Sequence, residues 1–424
     1  MKMELEIKVF TLNVWGIVGI SKNRKERIIA IASHLASSDY DFVFLQEVWS
    51  QEDYKYICKK TASVLPYAHY FYSGVFGSGV CILSKSKIRD TAMNKYSLNG
   101  YAHKLQHGDW FGGKVAGLCK VNHSGLNINL YISHLHAEYN HFNDQYLPHR
   151  VAQAFEFSQF ISTTSHDADV CIVAGDFNTE PSDLVYKIIA ANAGCHDSFA
   201  TQPKAEEMCD GATCGHPRNT YSHKSELKEC PLGKRLDYIM YKYKSGIMVE
   251  CLSCETPLHK IPGGTVSYSD HEAVVGRLFV KKSADPLAPR FRLTSEAEVT
   301  STGFVTVFRN CYQPEGREAA LDEGYRLLTD NLSSLKNDRI FYFIMSCLII
   351  CLLLVSVPFE VPYGCWTVLV CLRMVLSVTF AFCVWMSVVM NSMEYNSLLS
   401  AATGMKVLLD AMAEDRLSTQ KLGI

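Results

Sequence analysis

A layered α/β sandwich followed by a transmembrane helical hairpin is the fold class this 424-residue sequence predicts. Three observations carry it. Short apolar runs recur between residues 5 and 280, several closing on a carboxylate, an amide or an imidazole. Helical spacing falls between some of these runs, the pattern of a sandwich with helices outside its sheets. Finally, Ile340–Val357 holds no charge and Cys365–Met390 is broken only by Arg373. Each is long enough to cross a bilayer at about 1.5 Å per residue.

The elements follow in order. Leu5–Val14 alternates as a strand does and carries Asn13 at its end. Arg24–Leu35 places Ile28, Ile31, Ala32 and Leu35 on one helical face. Asp41–Leu45 is a short buried strand that delivers Gln46 and Glu47. Val80–Ser84, Val115–Val121, Leu126–Ser133, Val170–Ala174, Leu236–Tyr241 and Ala273–Val280 are further strands, with helices near 148–164 and 183–193. Residues 1–282 are therefore expected to form a catalytic domain and 283–339 a linker with some helix near 318–330. The hairpin spans 340–390, turning at Pro358–Gly364, and 391–424 form a tail. Leu398, Ala402, Met405, Leu409 and Met412 give that tail one apolar stripe, expected to lie on the membrane surface or to mediate self-association.

Charge and cysteine narrow the class. Lys and Arg total 41 against 43 Asp and Glu, and neither side of residue 282 is basic, which counts against a protein that grips many nucleic-acid phosphates. Sixteen cysteines occur at irregular spacing, and Met1–Glu6 does not open as a secretory signal, so reduced thiols facing the cytosol are expected. Cys209, Cys214, Cys230, Cys251 and Cys254 with His216 and His223 match no familiar zinc module. Lys336 and Arg339 flank the first span and no Lys or Arg lies in the turn, which places both flanks in the cytosol.

The chemistry-bearing residues sit at strand ends. Gly175-Asp176-Phe177-Asn178 follows a buried strand, so Asp176 and Asn178, two apart, share a face there. Glu47 follows Phe42–Leu45, where a carboxylate can hold Mg²⁺ beside a substrate phosphate. His134 ends the strand from Leu126 and suits general-acid work, whereas His136 is read as structural or substrate-facing. Asp237 is as readily a buried partner of Arg235 as a catalytic support. In Ser269-Asp270-His271 the neighbouring carboxylate is expected to raise and orient the imidazole. Together these residues supply what metal-assisted attack of water on a phosphodiester needs.

The ordered set Asn13, Gln46-Glu47, Ser133-His134, Gly175–Asn178, Asp237-Tyr238 and Ser269–His271 resembles the endonuclease/exonuclease/phosphatase superfamily. Asn13–Gly16, Gln46–Trp49, Gly74–Ser84, His107–Phe111, His134–Tyr139 and the hairpin resemble its neutral sphingomyelinases. The resemblance implies a four-layer αββα sandwich acting as a Mg²⁺-dependent phospholipase C on sphingomyelin. Glu47 would be the main Mg²⁺ ligand with Asn13 beside it, and Asp176 and Asn178 would orient water and phosphoryl group. His271, supported by Asp270, would be a base or near-metal residue and His134 the acid. Asp109 and Lys114 resemble a pair that switches an active-site loop in this family; an ordinary exposed loop pair is the competing reading. Lyso-choline phospholipids such as lyso-platelet-activating factor are the alternative substrates, and an inactive membrane scaffold is a third reading. The expected location is an internal membrane, endoplasmic reticulum first.

Overall fold

A computed structural model describes residues 4–104, 106–140, 143–203, 211–282, 314–358, 362 and 364–422. Two compact units divide the chain, Met1–Ala320 and Leu321–Ile424.

The first unit is built on two six-stranded sheets. In one, the order is β11 (Ile247–Glu255), β12 (Val274–Lys282), β1 (Glu4–Asn13), β2 (Phe42–Gln46), β4 (Cys81–Ser84) and β3 (Tyr67–Tyr70). In the other it is β5 (Ile88–Lys95), β6 (Val115–His123), β7 (Leu126–His134), β8 (Val170–Asp176), β10 (Asp237–Tyr243) and β9 (His196–Asp197). Alternate side chains meet between the sheets: Ile7, Val9, Phe42 and Phe44 from one, Ile128, Ile132, Ile172 and Ile239 from the other, all buried in one cluster. The intervening positions turn outward. Phe10, Leu12, Val43 and Leu45 pack against Ile28, Ile31 and Leu35 of the helix Arg24–Ala36. On the opposite outer face, Tyr131 meets Phe160 of the helix Leu147–Thr164 edge-on at 6.0 Å. The four layers expected from the resemblance are thus present.

All eight expected strands form. Four more escape the periodicity argument, each for a physical reason. β3 and β5 are edge strands, β5 largely exposed, and β9 has only two residues. β11 does alternate, burying Ile247, Val249 and Cys251, but a bulge between Cys251 and Ser253 breaks its period. The helix Gln51–Thr61 was also missed; the Ser50 hydroxyl caps it by accepting from the Asp53 N–H at 3.3 Å.

Parallel pairing of β1 with β2 sets Asn13 opposite Gln46, and β7, β8 and β10 align His134, Asp176 and Asp237 in one row. Two backbone features make that register possible. Gly175 has φ 151°, and a Cβ there would lie 1.9 Å from the Ser133 carbonyl oxygen. Glu47 and Asn178, both non-glycine, adopt left-handed backbone at φ 58° and 47°, local strain of the kind that collects at functional sites.

In the second unit, the helix Pro314–Ser356 runs without a break through what was expected to be the end of the linker. A second helical stretch follows from Trp366, with one π-turn at Met386–Met390, to Leu422. Both are long and apolar enough to cross a membrane, and Phe341, Leu348, Leu354, Val368, Val375 and Val378 face outward, as lipid-facing residues would. The Asn391 amide donates to the Leu335 carbonyl at 2.7 Å and the Ser387 hydroxyl to that of Arg339 at 3.2 Å, so the two helices run antiparallel. Arg373 donates through Nε to the Ser356 hydroxyl at 3.2 Å, against the end of the first helix. The expected surface-lying tail is corrected here. Leu398, Ala402 and Met405 are buried, as are Leu328, Leu332 and Leu335 on the facing helix. The tail's apolar stripe found its complement within the chain, in a stretch read as linker.

Candidate metal and phosphodiester site

The row His134–Asp176–Asp237 and the end of β1 converge on one buried polar cluster. The Asn13 amide nitrogen donates to both Glu47 Oε1 at 3.0 Å and Asp176 Oδ2 at 2.9 Å. Its oxygen accepts from the Trp15 N–H at 3.0 Å, which orients Asn13 as a bridge between two carboxylates. His134 Nε2 lies 3.5 Å from Asp176 Oδ2, and His271 Nε2 lies 4.0 Å from the same atom. Asp176 is therefore flanked by both imidazoles. Asn178 donates its amide to the Leu135 carbonyl at 2.9 Å, and its backbone N–H to Asp176 Oδ1 at 3.0 Å.

One expected pairing is corrected. The partner of His271 is Asp237, whose Oδ2 lies 2.8 Å from Nδ1, and not its chain neighbour Asp270. Asp270 lies in a bend just before the bridge that joins His271 to Cys214, and that bridge carries the imidazole to the segment leading into Asp237. Asp270 instead accepts from the Ser269 hydroxyl at 3.1 Å and bears electrostatically on Glu47.

The charges of the cluster do not balance. Burial first, then Asp270, pushes Glu47 up to about 7. Burial, then Asp237, pushes Asp176 up to about 6, and burial raises Asp270 as well. Burial opposes a charged His271, but Cys214, Asp237 and Asp176 outweigh it and hold the imidazole well above its ordinary value. His134 is held well below its own, by burial and then by Lys114. Carboxylates crowded enough to favour protons are carboxylates short of a cation. Glu47 Oε2 is buried without a hydrogen-bond partner, and ligand atoms of Asp176, Asp237 and His271 all lie within 4.8 Å of one another. Oxygen-rich donors of this kind fit a hard divalent ion. Asp237 Oδ2 already bonds His271 Nδ1, whereas Glu47 Oε2 and Asp237 Oδ1 are buried without a hydrogen-bond partner, and Asp270 lies close enough to Glu47 to raise it.

Asp109 and Lys114 are a buried ion pair at 2.9 Å, so the exposed-loop alternative is set aside. Lys114 also donates to the Leu135 carbonyl at 2.6 Å, the oxygen that Asn178 binds. The Tyr139 hydroxyl donates to Asp109 at 2.8 Å. Burial disfavours the charged Asp109, yet Lys114 and His136 outweigh it and hold the carboxyl below its usual range. His136 stacks on Tyr146 at 4.0 Å, and burial pushes it down to about 3, consistent with a structural histidine.

Arg27 was not anticipated. It is wholly buried, donating to the Val14 and Trp15 carbonyls at 2.7 Å each and to that of Tyr268 at 3.3 Å, with its guanidinium 4.9 Å from the Trp15 ring. It thus ties the segment after Asn13 to the segment before Asp270. Within Arg24-Lys25-Glu26-Arg27 it looks solvated, but its spacing to Ile31 and Leu35 put it on the buried face.

With this geometry in view, the sequence profile of the Endonuclease/Exonuclease/phosphatase family matches residues 10–271. The chain belongs to that family, in its neutral sphingomyelinase branch. A Drosophila melanogaster protein named "Putative neutral sphingomyelinase" is 36% identical, over 96% of this chain and 97% of its own length. Human "Sphingomyelin phosphodiesterase 2" is 42% identical over 66% of each chain. "Inositol phosphosphingolipids phospholipase C" of Schizosaccharomyces pombe is 34% identical over 66% of this chain and 70% of its own. A solved Streptomyces griseocarneus sphingomyelinase C aligns with 64% of this chain and 99% of its own at TM-score 0.49 and 16% identity.

Proposed function

We propose that this family member is a membrane-associated, metal-dependent phospholipase C that cleaves sphingomyelin to ceramide and phosphocholine. The observation that carries the chemistry is the convergence of Glu47, Asp176, Asp237 and Asp270 with His134 and His271 on one cluster. The sphingolipid substrate rests on the named relatives, which share this chain's length or its catalytic unit. Glu47 and Asp270 would hold the ion, taken as Mg²⁺, which supplies charge neutralisation at the phosphate.

The remaining roles follow from the side chains. Asp176 and Asn178 position water and the phosphoryl group. His271, its Nδ1–H held by Asp237, would take the water's proton at Nε2 from its neutral form, and the carboxylates around it stabilise the imidazolium that results. The new bond joins that oxygen to phosphorus while the bond to the ceramide oxygen breaks. His134 gives up a proton readily because burial works against its charged form, and it protonates the departing oxygen. A phosphodiester anion beside it favours loading that proton beforehand. Lys114, salt-bridged to Asp109, fixes the Leu135 carbonyl against Asn178 and so positions the phosphoryl-binding amide.

Endoplasmic reticulum residence, with the catalytic unit and both termini cytosolic, belongs to the same proposal, as do the division at residues 282, 339 and 390 and a role without nucleic acid. The test is headgroup release by the full-length protein from sphingomyelin, lyso-platelet-activating factor and inositol phosphosphingolipid vesicles, with Mg²⁺ or EDTA. Phosphocholine release from sphingomyelin in Mg²⁺ alone is expected. Release only from the inositol lipid would move the substrate, and no release from any lipid would refute the proposal.

A further inference from the structure

Large apolar side chains are unevenly exposed over the catalytic unit. Among its described residues, six have exposures of 60% to 73%: Val18, Ile20, Tyr72, Val75, Phe76 and Leu232. All six lie on loops at one end of the sandwich. The segment carrying Val18 and Ile20 follows Asn13 at the end of β1. The segment carrying Tyr72, Val75 and Phe76 joins β3 to β4, whose Cys81 pairs with Leu45 just before Glu47. Leu232 precedes β10, which opens with Asp237 opposite Asp176. Less exposed apolar residues such as Ile29, Met93 and Met248 lie on helices and strands instead. The strand register therefore sets the most exposed apolar groups at the same end of the sandwich as the site.

The tip that carries Val75 and Phe76 is fixed in place. The Val75 N–H donates to the Phe111 carbonyl at 2.8 Å, and the Phe76 ring lies 6.2 Å from that of Phe111. Gly74, at φ 60°, approaches so closely that a Cβ would lie 2.5 Å from the Phe111 carbonyl oxygen. The 71–80 segment is thus stapled to the turn that begins at Asp109.

We propose that this apolar rim is a bilayer-contact surface, with Val75, Phe76, Ile20 and Leu232 entering the boundary between headgroups and acyl chains. The inference rests on the lipid-hydrolase reading above. A phospholipid surface is the occupant because the same chain carries two helices able to cross a membrane. The position of these residues also decides it: a protein or a second copy seated there would cover the end of the sandwich that holds the site, whereas a bilayer presents the substrate at that end. Apolar area placed in the interface strengthens such contact in proportion.

The test uses the full chain in vesicles of phosphatidylcholine and sphingomyelin. The double variant Val75→Ser/Phe76→Ser is expected to lose about tenfold or more turnover on vesicle sphingomyelin, the loss expected when two large apolar groups leave the interface. On a short-chain sphingomyelin dissolved as monomers it should keep wild-type turnover. Equal loss on both substrates, or loss on neither, overturns the proposal. A second readout needs no activity: with Phe76→Trp, fluorescence should be quenched by chain-brominated lipid beyond the wild-type level and be shielded from aqueous acrylamide. Quenching by acrylamide, or shielding from both agents as a covering protein would give, also overturns it. If the wild type hydrolyses neither substrate, the hydrolase reading fails, while the quenching still tests the surface.

Discussion

His271 and its partner show what a single side-chain pairing decides. Asp237 Oδ2 sits 2.8 Å from Nδ1, so Asp237→Asn should lower turnover on sphingomyelin by about 10²- to 10⁴-fold without unfolding the chain, as losing the orienting carboxylate of an imidazole does. Asp270→Asn should act differently, raising the Mg²⁺ concentration needed for half-maximal activity. Titrating Mg²⁺ against both variants separates the roles, and identical profiles would contradict them. The raised carboxylates also predict a pH dependence. With Glu47 up near 7 and Asp176 near 6, the metal-free fold holds protons that the unfolded chain releases at lower pH. Their contribution to stability is therefore lost as pH rises through about 6 to 7, the range in which a cation gains its ligands. The rise in melting temperature given by Mg²⁺ over EDTA should be small at pH about 5.5 and reach several degrees by about 7.5. A shift independent of pH would argue against these carboxylates as the cation's ligands.

Elements impose the close tolerances. β7 and β8 approach so tightly at Gly175 that any side chain there meets the Ser133 carbonyl, which also sets the row His134–Asp176–Asp237. Gly175→Ala should cost about 3 kcal/mol or more, through overpacking and strained backbone together. Thermal unfolding would read this as a drop of several degrees; a change under about 2 °C would show that the strands can part there without cost. The fate of the C-terminal stripe is set at the same scale. Leu398, Ala402 and Met405 announce a buried helix face by spacing alone, but not which surface buries them. Leu328, Leu332 and Leu335 recur at matching intervals in a stretch whose prolines and scattered charges made it look like linker.

For the whole molecule, the positive-inside reading of Lys336 and Arg339 leads to one inexpensive check. Asn122-His123-Ser124 and Asn331-Leu332-Ser333 are sequons, and both lie before the first apolar span. With that side of the membrane cytosolic, neither should carry sugar, so endoglycosidase treatment should leave the electrophoretic mobility unchanged. A mobility shift that disappears in Asn122→Gln or Asn331→Gln would reverse the topology.

Local pattern by itself determined that this is a two-sheet sandwich with apolar helices behind it. Runs such as Phe42–Leu45 and Val170–Ala174 can be buried in few ways, and the polar residue closing each must then stand at a sheet end. Glu47, His134, Asp176 and His271 were legible for that reason. Partnership was not legible, because it depends on register between strands far apart in the chain. Only the bridges from Cys214 to Lys234 and to His271 bring Asp237, and not Asp270, to the imidazole. Only the packing of the helix Arg24–Ala36 against the Trp15 segment turns Arg27 from a seemingly solvated charge into a buried brace. The exposed rim belongs with these, since Val18, Phe76 and Leu232 are unremarkable loop residues until the two sheets set their loops at the same end.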